Sequence, residues 1–238
     1  KNTDPTQGPN RYAQVIGVVN DLCDPSDRVV TAAGGLPAEL AANWRTLSRS
    51  TVDIEFGFSC MGYEIAGGWG ARIAQAEQEP EQDTIVFVGD GSYLLMNSDI
   101  HSAVITEKKL IILVLDNGGF AVINKLQNGK GNESFNNLFC DTPTATKPVA
   151  VDFAAHAASL GADVERVSNA QEFGDAFKTA KASKNTSVIV MEVDPYDGWT
   201  KEGHAWWEVG TPGISTSKKV TDAHVETEAG RVNQRRGI

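Results

Sequence analysis

The sequence predicts an α/β fold: a doubly wound, mainly parallel sheet flanked by helices. Three observations carry this. Thr84–Val88 and Leu110–Leu115 are short apolar runs, rich in β-branched residues and closed by turn residues, the pattern of strands buried on both faces. Residues 99–106 between them have the spacing of a helix, which makes a βαβ unit. Runs of the same kind recur along the chain with helical segments between them, and no internal repeat is visible.

Taken in order, residues 1–10 are polar with Pro5 and Pro9 and read as a linker. Apolar residues at 12, 15, 16, 19 and 22 follow a helical period, and Asp24–Asp27 ends it. Arg28–Ala33 reads as a strand, Gly34–Gly35 as the turn after it, and Leu36–Trp44 as a short helix with Pro37 early. Asp53–Gly62 leads into a helix from Tyr63 to Ala74 that is crowded with small residues. Glycines there suggest close approach of another helix or of a ligand. Gln75–Asp83 is acidic and polar and reads as a solvated loop. After Phe120 come one or two helical turns to Gln127. The Gly/Asn-rich stretch from Asn128 to Phe139 has no period and is a candidate lid. Asp152–Leu160 is a helix with Asp152 in its first turn, Asp163–Val167 a strand, Ala170–Ala180 a helix and Ser187–Val193 a strand. That gives five candidate strands. The expected organisation is a linker over 1–10, an α/β domain over 11–198, and an extension over 199–238. The polar, charged stretch beyond Lys218 reads as a loosely packed or extended terminus.

Composition bounds the function. The 238 residues suffice for one good core, with 41% hydrophobic residues. A net charge of −10, from 31 acidic and 21 basic residues, argues against a nucleic-acid backbone as partner. Three scattered cysteines, Cys23, Cys60 and Cys140, fit neither a disulfide framework nor a zinc set, and point to a reducing, cytoplasmic compartment. No run reaches the apolar length of a membrane span, and no secretion signal opens the chain.

The chemistry lies in two turns. Thr84–Val88 runs into Gly89-Asp90-Gly91-Ser92, and Leu110–Leu115 into Asp116-Asn117-Gly118-Gly119. Both turns follow the carboxyl ends of strands, where open parallel sheets bind ligands. Asp90 offers a carboxylate, Asn117 an amide oxygen and Gly119 a backbone carbonyl, all hard oxygens that suit Mg²⁺ and leave room for phosphate oxygens. The amides of Gly91 and Ser92, at an expected helix start, can hold a phosphate. Two plain β-turns are the competing reading.

The pairing of Gly89-Asp90-Gly91 with an asparagine at the end of the next strand resembles the cofactor motif of thiamine diphosphate enzymes. The usual Asn-Asn ending is Asp116-Asn117 here, and Asn117 matches the metal-binding second position. Residues 55–67, 88–94, 115–120, 151–156 and 206–209 are similar, more narrowly, to the thiamine diphosphate hydrolases that open a trihydroxylated cyclohexane-1,2-dione in myo-inositol breakdown. The resemblance spans roughly residues 11–215. It implies the thiamine diphosphate-binding fold, with Mg²⁺ held by Asp90, Asn117 and the carbonyl of Gly119. It also implies hydrolytic C–C cleavage of the cyclic dione to 5-deoxy-glucuronate. It sets Met61 under the bent cofactor and backbone near Ser59 and Met61 against the aminopyrimidine ring, although a gap-filling core methionine is the alternative. Gly34 and Gly35 either line the diphosphate or form an ordinary turn.

Other candidates carry less. Cys60 has no local histidine partner to make it a nucleophile. His101, Glu107 and His156 read as packing or surface residues, and Lys125 and Lys130 as solvated unless an anion meets them. Trp199, Trp206 and Trp207 surround His204 in a segment that either closes over the site, as the resemblance implies, or folds back on the core. In the resembling enzymes an activating glutamate comes from a separate pyrimidine-binding domain. Glu39, Glu55 and Glu64 all lie in stretches that match the diphosphate domain, so none is assigned that role. The expected partners are therefore an N-terminal pyrimidine-binding domain or subunit and a further copy of the chain, and the chain alone is expected to be inactive. A 2-oxo acid enzyme of the acetolactate synthase kind and a nonenzymatic diphosphate-binding assembly module are the alternatives.

Overall fold

The computed structural model describes residues 10–76, 81–141, 150–200 and 209–232. The chain divides into two compact units, one of residues 1–117 and 150–200, the other of 118–149 and 201–238. Residues 118–149, after β4 and Asn117, group with the C-terminal residues in the second unit.

The first unit is built on a six-stranded, all-parallel sheet in the order β2-β1-β3-β4-β6-β5. The strands are β1 (Arg28–Thr31), β2 (Val52–Ile54), β3 (Thr84–Gly89), β4 (Ile111–Asp116), β5 (Asp163–Val167) and β6 (Ser187–Glu192). Five match the expected runs. The sixth, β2, is a correction to the reading of Asp53–Gly62 as an approach to a helix. It has three residues, one of them Asp53, and all are half-exposed at the sheet edge, so no apolar run announces it. The chain leaves β1 on one side to make β2 and returns on the other to make β3, so the winding reverses between β1 and β3. Ligands in doubly wound sheets bind outside the carboxyl ends at such a reversal.

Side chains alternate across the central strands. Val86, Val88, Ile112, Val114, Val188 and Val190 form one buried face. It is covered by α3 (Tyr63–Gln75), α5 (Asp99–Ile105) and α7 (Phe153–Ser159) through Ile65, Ile100, Ala103, Phe153 and Ala157. Asp152 is the N-cap of α7, not a first-turn residue, and its carboxylate accepts from the Ala155 N–H. The remaining helices of this unit are α1 (Tyr12–Leu22), α2 (Gly35–Asn43), α4 (Asp90–Leu95) and α8 (Ala170–Ala182). The first of these packs on both α2 and α8 and buries Tyr12, Val15, Ile16 and Val19, the predicted stripe. The small residues of α3 have a concrete role. A Cβ on Gly68 would collide with Val86 of β3, and one on Gly67 would enter the ring of Tyr63, one turn earlier on the same helix. The Tyr63 hydroxyl donates to Asp53 Oδ2 at 3.0 Å.

The expected solvated loop over 75–83 needs correction at its ends. Gln75, Gln82 and Asp83 are buried. Gln75 donates to Gln82 and accepts from Thr84, and Gln82 donates to the Ser26 carbonyl. Asp83 joins an ion cluster at the amino edge of the sheet, where Lys181 of α8 meets Asp24, Asp27 and Asp83, and Lys109 meets Asp83 at 2.7 Å. Burial alone would pull the Lys181 ammonium toward deprotonation, but bonds to Asp27 and Asp24 outweigh it and hold the group well above its usual value.

The second unit contains α6 (Ala121–Gly129), a 3₁₀ turn at Phe139–Asp141 and α9 (Lys218–Arg231). The last helix corrects the expectation of an extended terminus. It buries only Val220 and Thr227, so it shows no apolar period, and the pairs Lys218–Asp222 and Arg231–Glu228 support it. The candidate lid is tied within this unit. Asn137 accepts from the Phe120 N–H, Glu133 pairs with Lys219, and Gly131 lies against the Lys219 backbone. Lys130 donates to Thr227 at 3.0 Å and is not a solvated lysine.

Lys181→Met should leave the buried Asp27 carboxylate without its main cation. We expect a loss of about 3 kcal/mol of unfolding free energy, read from urea denaturation. An unchanged midpoint would remove the cluster's role in stability.

Candidate cofactor site

Parallel pairing of β3 and β4 aligns Gly89 with Leu115. The turns that follow each strand therefore emerge side by side at the carboxyl edge. Asp90 is the first residue of α4 and is 2% exposed. Asn117 follows the end of β4. Its Nδ2 donates to the Tyr12 hydroxyl at 2.7 Å, and its Oδ1 is buried and accepts no hydrogen bond among the described residues.

Tyr12 bonds the second turn and lies in the field of the first. Burial lifts its phenol far above the ordinary value. The hydrogen bond from Asn117 pulls the other way, and the charges of Asp90, Glu39 and Asp116 raise it further. The phenol thus stays protonated and within the field of Asp90 while holding the Asn117 amide. A buried amide oxygen without a donor costs about 1–3 kcal/mol. Such an oxygen is suited to a hard cation. Among the described residues no three His, Cys, Asp or Glu side chains cluster to hold a metal, so a cation here would draw on amide, carbonyl and phosphate oxygens.

The other predicted residues of this unit are placed along the same edge. Gly91 and Ser92 occupy the first turn of α4 and are buried. Gly34 caps α2 beyond β1, the neighbour of β3, with a φ of 122° and open space where a Cβ would stand. Gly35 is the buried first residue of α2. Ser59, at a φ of 58°, and Met61 lie in the turns before α3, where the Ser59 carbonyl accepts from the Met61 N–H at 3.0 Å. Those turns abut α4, because a Cβ on Gly62 would sit 2.8 Å from Met96 Cγ. Gly119 belongs to the second unit. There it bridges Leu138 at a φ of 141°, which a side chain would strain. The three cysteines form no disulfide, and Cys60 is exposed. His156 is a packing residue whose Nδ1 lies 2.9 Å from the Tyr93 hydroxyl, and His101 bonds the Leu160 carbonyl. Trp199 folds onto Tyr12, with ring centroids 5.0 Å apart, while His204, Trp206 and Trp207 lie outside the described residues. Glu39 is buried and accepts from the Thr200 N–H and hydroxyl.

Sequence reasoning missed two residues. Tyr12 looked like one more apolar position of a helix. Glu64 was left without a role, yet it is 1% exposed, and its carboxylate accepts from the Gly62 N–H at 2.8 Å. Among the described residues no cation pairs with it, and burial raises its pKa.

A family model described as thiamine pyrophosphate enzyme, C-terminal TPP binding domain, matches residues 32–191. The chain belongs to the thiamine pyrophosphate enzyme family. This thiamine pyrophosphate-binding domain is 37% identical over 215 residues to 3D-(3,5/4)-trihydroxycyclohexane-1,2-dione hydrolase 2 of Bacillus cereus, covering 88% of the chain and 33% of the relative. It is 32% identical over 234 residues to the like-named hydrolase of Shouchella clausii, covering 92% and 35%. The chain therefore spans about a third of the length of these relatives. Among solved structures, benzoylformate decarboxylase from Polynucleobacter necessarius superposes with a TM-score of 0.72 at 19% identity, over 82% of this chain and 35% of that one. The 4-hydroxybenzoylformate decarboxylase of Rhodococcus jostii RHA1 gives 0.70 at 18%, over 84% and 35%. At such identities these two show a shared fold. No described helix of the domain is long and apolar enough to cross a membrane.

The Glu64 carboxyl makes stability depend on pH. Its pKa is above 4.5 in the folded state and near that value when unfolded. Between the two the folded state binds more protons, so stability falls as pH rises through that window. Glu64→Gln should flatten this decline in urea midpoints measured from pH 4.5 upward. An identical slope in both proteins would mean the carboxyl is not the group responsible.

Proposed function

We propose that this domain holds the diphosphate and Mg²⁺ of thiamine diphosphate in a hydrolase that cleaves a C–C bond of a trihydroxylated cyclohexane-1,2-dione, giving 5-deoxy-glucuronate. The relatives' names support the reaction class, and the buried Asn117 Oδ1, without a donor among the described residues, carries the site assignment. Asp90 would supply the charged ligand and Asn117 a neutral one. Tyr12 would fix the Asn117 amide so that its oxygen stays turned to the ion. The amides of Gly91 and Ser92 would meet the diphosphate, Gly34 and Gly35 would let backbone approach it, and Met61 and the Ser59 backbone would face the rings. Bound thiamine diphosphate supplies the electron sink for the cleavage. The remaining portion of the enzyme would contribute the activating acid, so this domain alone would not turn over substrate. Self-association and a cytoplasmic setting complete the reading, the latter supported by three cysteines without a disulfide.

Calorimetry of thiamine diphosphate with and without Mg²⁺, on protein that includes the remainder present in its relatives, tests the site. Asp90→Ala should weaken metal-dependent binding by more than about 100-fold, and Tyr12→Phe, which acts through a ligand, by about tenfold. Asn117→Ala should fall between them, since water can fill a neutral ligand position. Equal affinity in wild type and Asp90→Ala would defeat the assignment. For the reaction, product analysis should show cleavage of the cyclic dione and no condensation of pyruvate by that longer protein, and no turnover by the 238-residue chain. Turnover by the chain alone would mean it already contains the acid.

A further inference from the structure

Asp90 sits on a helix too short to hold its own shape. α4 has six residues, below the length at which a helix is stable unaided. Its seat is Tyr93, one turn after Asp90 and fully buried. The Tyr93 ring packs edge-on against Phe153 of α7, with centroids 5.2 Å apart. A phenylalanine would fill that space equally well, so the hydroxyl needs its own explanation. It lies 2.9 Å from Nδ1 of His156, one turn further along α7. Burial pushes the phenol up to about 12, so it keeps a proton to give at neutral pH. Nδ1 of His156 is the one partner this hydroxyl meets among the described residues. The phenol therefore donates to a neutral imidazole whose own proton is on Nε2.

Histidine is an unusual acceptor for such a place. An amide or hydroxyl oxygen would take the same proton at every pH, whereas an imidazole titrates near neutrality, and His156 is only half-buried. Once it is protonated, both ring nitrogens are donors. The bond is then reversed, and the buried phenol proton loses its acceptor. Other ionisable groups near α7 have partners elsewhere. On the sheet face under α7, Arg166 of β5 pairs with Glu192 of β6 and with Asp152 at the helix N-cap. Asp163 and Glu165 lie on the opposite face of β5. α5 brings Asp99, which accepts from Ser102, and His101, whose Nδ1 bonds the Leu160 carbonyl. α4 brings Asp90 and Tyr93, and of all these Tyr93 alone bonds the His156 ring.

We propose that His156 is a positioning residue for cofactor binding. Neutral, it takes the Tyr93 proton and keeps α4 seated with Asp90 in place for the metal. Protonated, it reverses the bond and loosens α4, so metal-dependent binding weakens in acid. One proton passes from solvent to Nδ1, and no other covalent bond changes. The proposal rests on the reading of Asp90 as a metal ligand and adds a pH-dependent support behind it.

Thiamine diphosphate with Mg²⁺ is titrated calorimetrically at pH 8 and pH 5.5, on protein that includes the remainder present in its relatives. The complex favours neutral His156, so affinity should fall as pH drops through the histidine range. His156→Asn puts an amide oxygen where Nδ1 stood and does not titrate. Between the two pH values wild type should lose about threefold more affinity than His156→Asn. Tyr93→Phe keeps the ring and removes the phenol proton. Its loss should match that of His156→Asn, and it carries the test should His156→Asn not fold by circular dichroism. Nitrogen NMR of the wild-type imidazole at pH 8 should show Nδ1 unprotonated. Parallel losses in wild type and the variants, or a protonated Nδ1 at pH 8, overturn the proposal while leaving the site reading intact. Metal-dependent binding that survives Asp90→Ala instead overturns the site reading, and the proposal with it.

Discussion

The in-register pairing of β3 with β4 is the constraint on which the rest depends. Five residue pairs, from Ile85–Ile111 to Gly89–Leu115, fix where each strand stops. Because both strands are buried on both faces, a slip of one residue would turn every side chain to the wrong side. The register that protects the core therefore also sets Asp90 and the turn bearing Asn117 at one level of the carboxyl edge. The placement of both turns is inherited from core packing, and no separate device is needed to align them.

Tyr12 extends that logic to a third element. Its ring belongs to the core stripe of α1 and stacks near Trp199, while its hydroxyl holds the Asn117 amide. One side chain thus transmits the position of an N-terminal helix to a turn more than a hundred residues away in sequence. The edges of the sheet have divided roles. The amino edge concentrates Lys181, Asp24, Asp27, Asp83 and Lys109 in mutually satisfying ion pairs, and the carboxyl edge keeps a buried amide oxygen without a donor among the described residues.

How much of this the sequence disclosed follows from what each element announces. Central strands were legible because burial on both faces demands continuous apolar runs, as in Thr84–Val88 and Leu110–Leu115. The turns at Asp90 and Asn117 stood out because their residue types are unusual for plain turns when they recur on successive strands, and the structure places both at the carboxyl ends of paired strands. The three-residue β2 and the polar α9 were not, since neither carries an apolar period. Gln82 and Asp83 looked solvated because sequence shows polarity but not the partners, Gln75, Ser26 and Lys181, that bury them. Glu64 and Tyr12 were hidden for the same reason. The first is buried with the Gly62 N–H as its partner, and the second is held to Asn117, which is distant in sequence.

The nesting of Tyr63 over Gly67 has an evolutionary corollary. The ring occupies the volume where any larger residue at 67 would place its first carbon, and the tyrosine's far end is moored to Asp53 of the edge strand. Neither position can drift on its own. A bulkier residue at 67 is admissible only after Tyr63 has been trimmed, and trimming it releases the tie to β2. Descendants of this sequence are therefore expected to inherit Asp53, Tyr63 and Gly67 as a block or exchange them together, so that the shortest and least apolar strand of the sheet is retained by a lock that lies on the neighbouring helix.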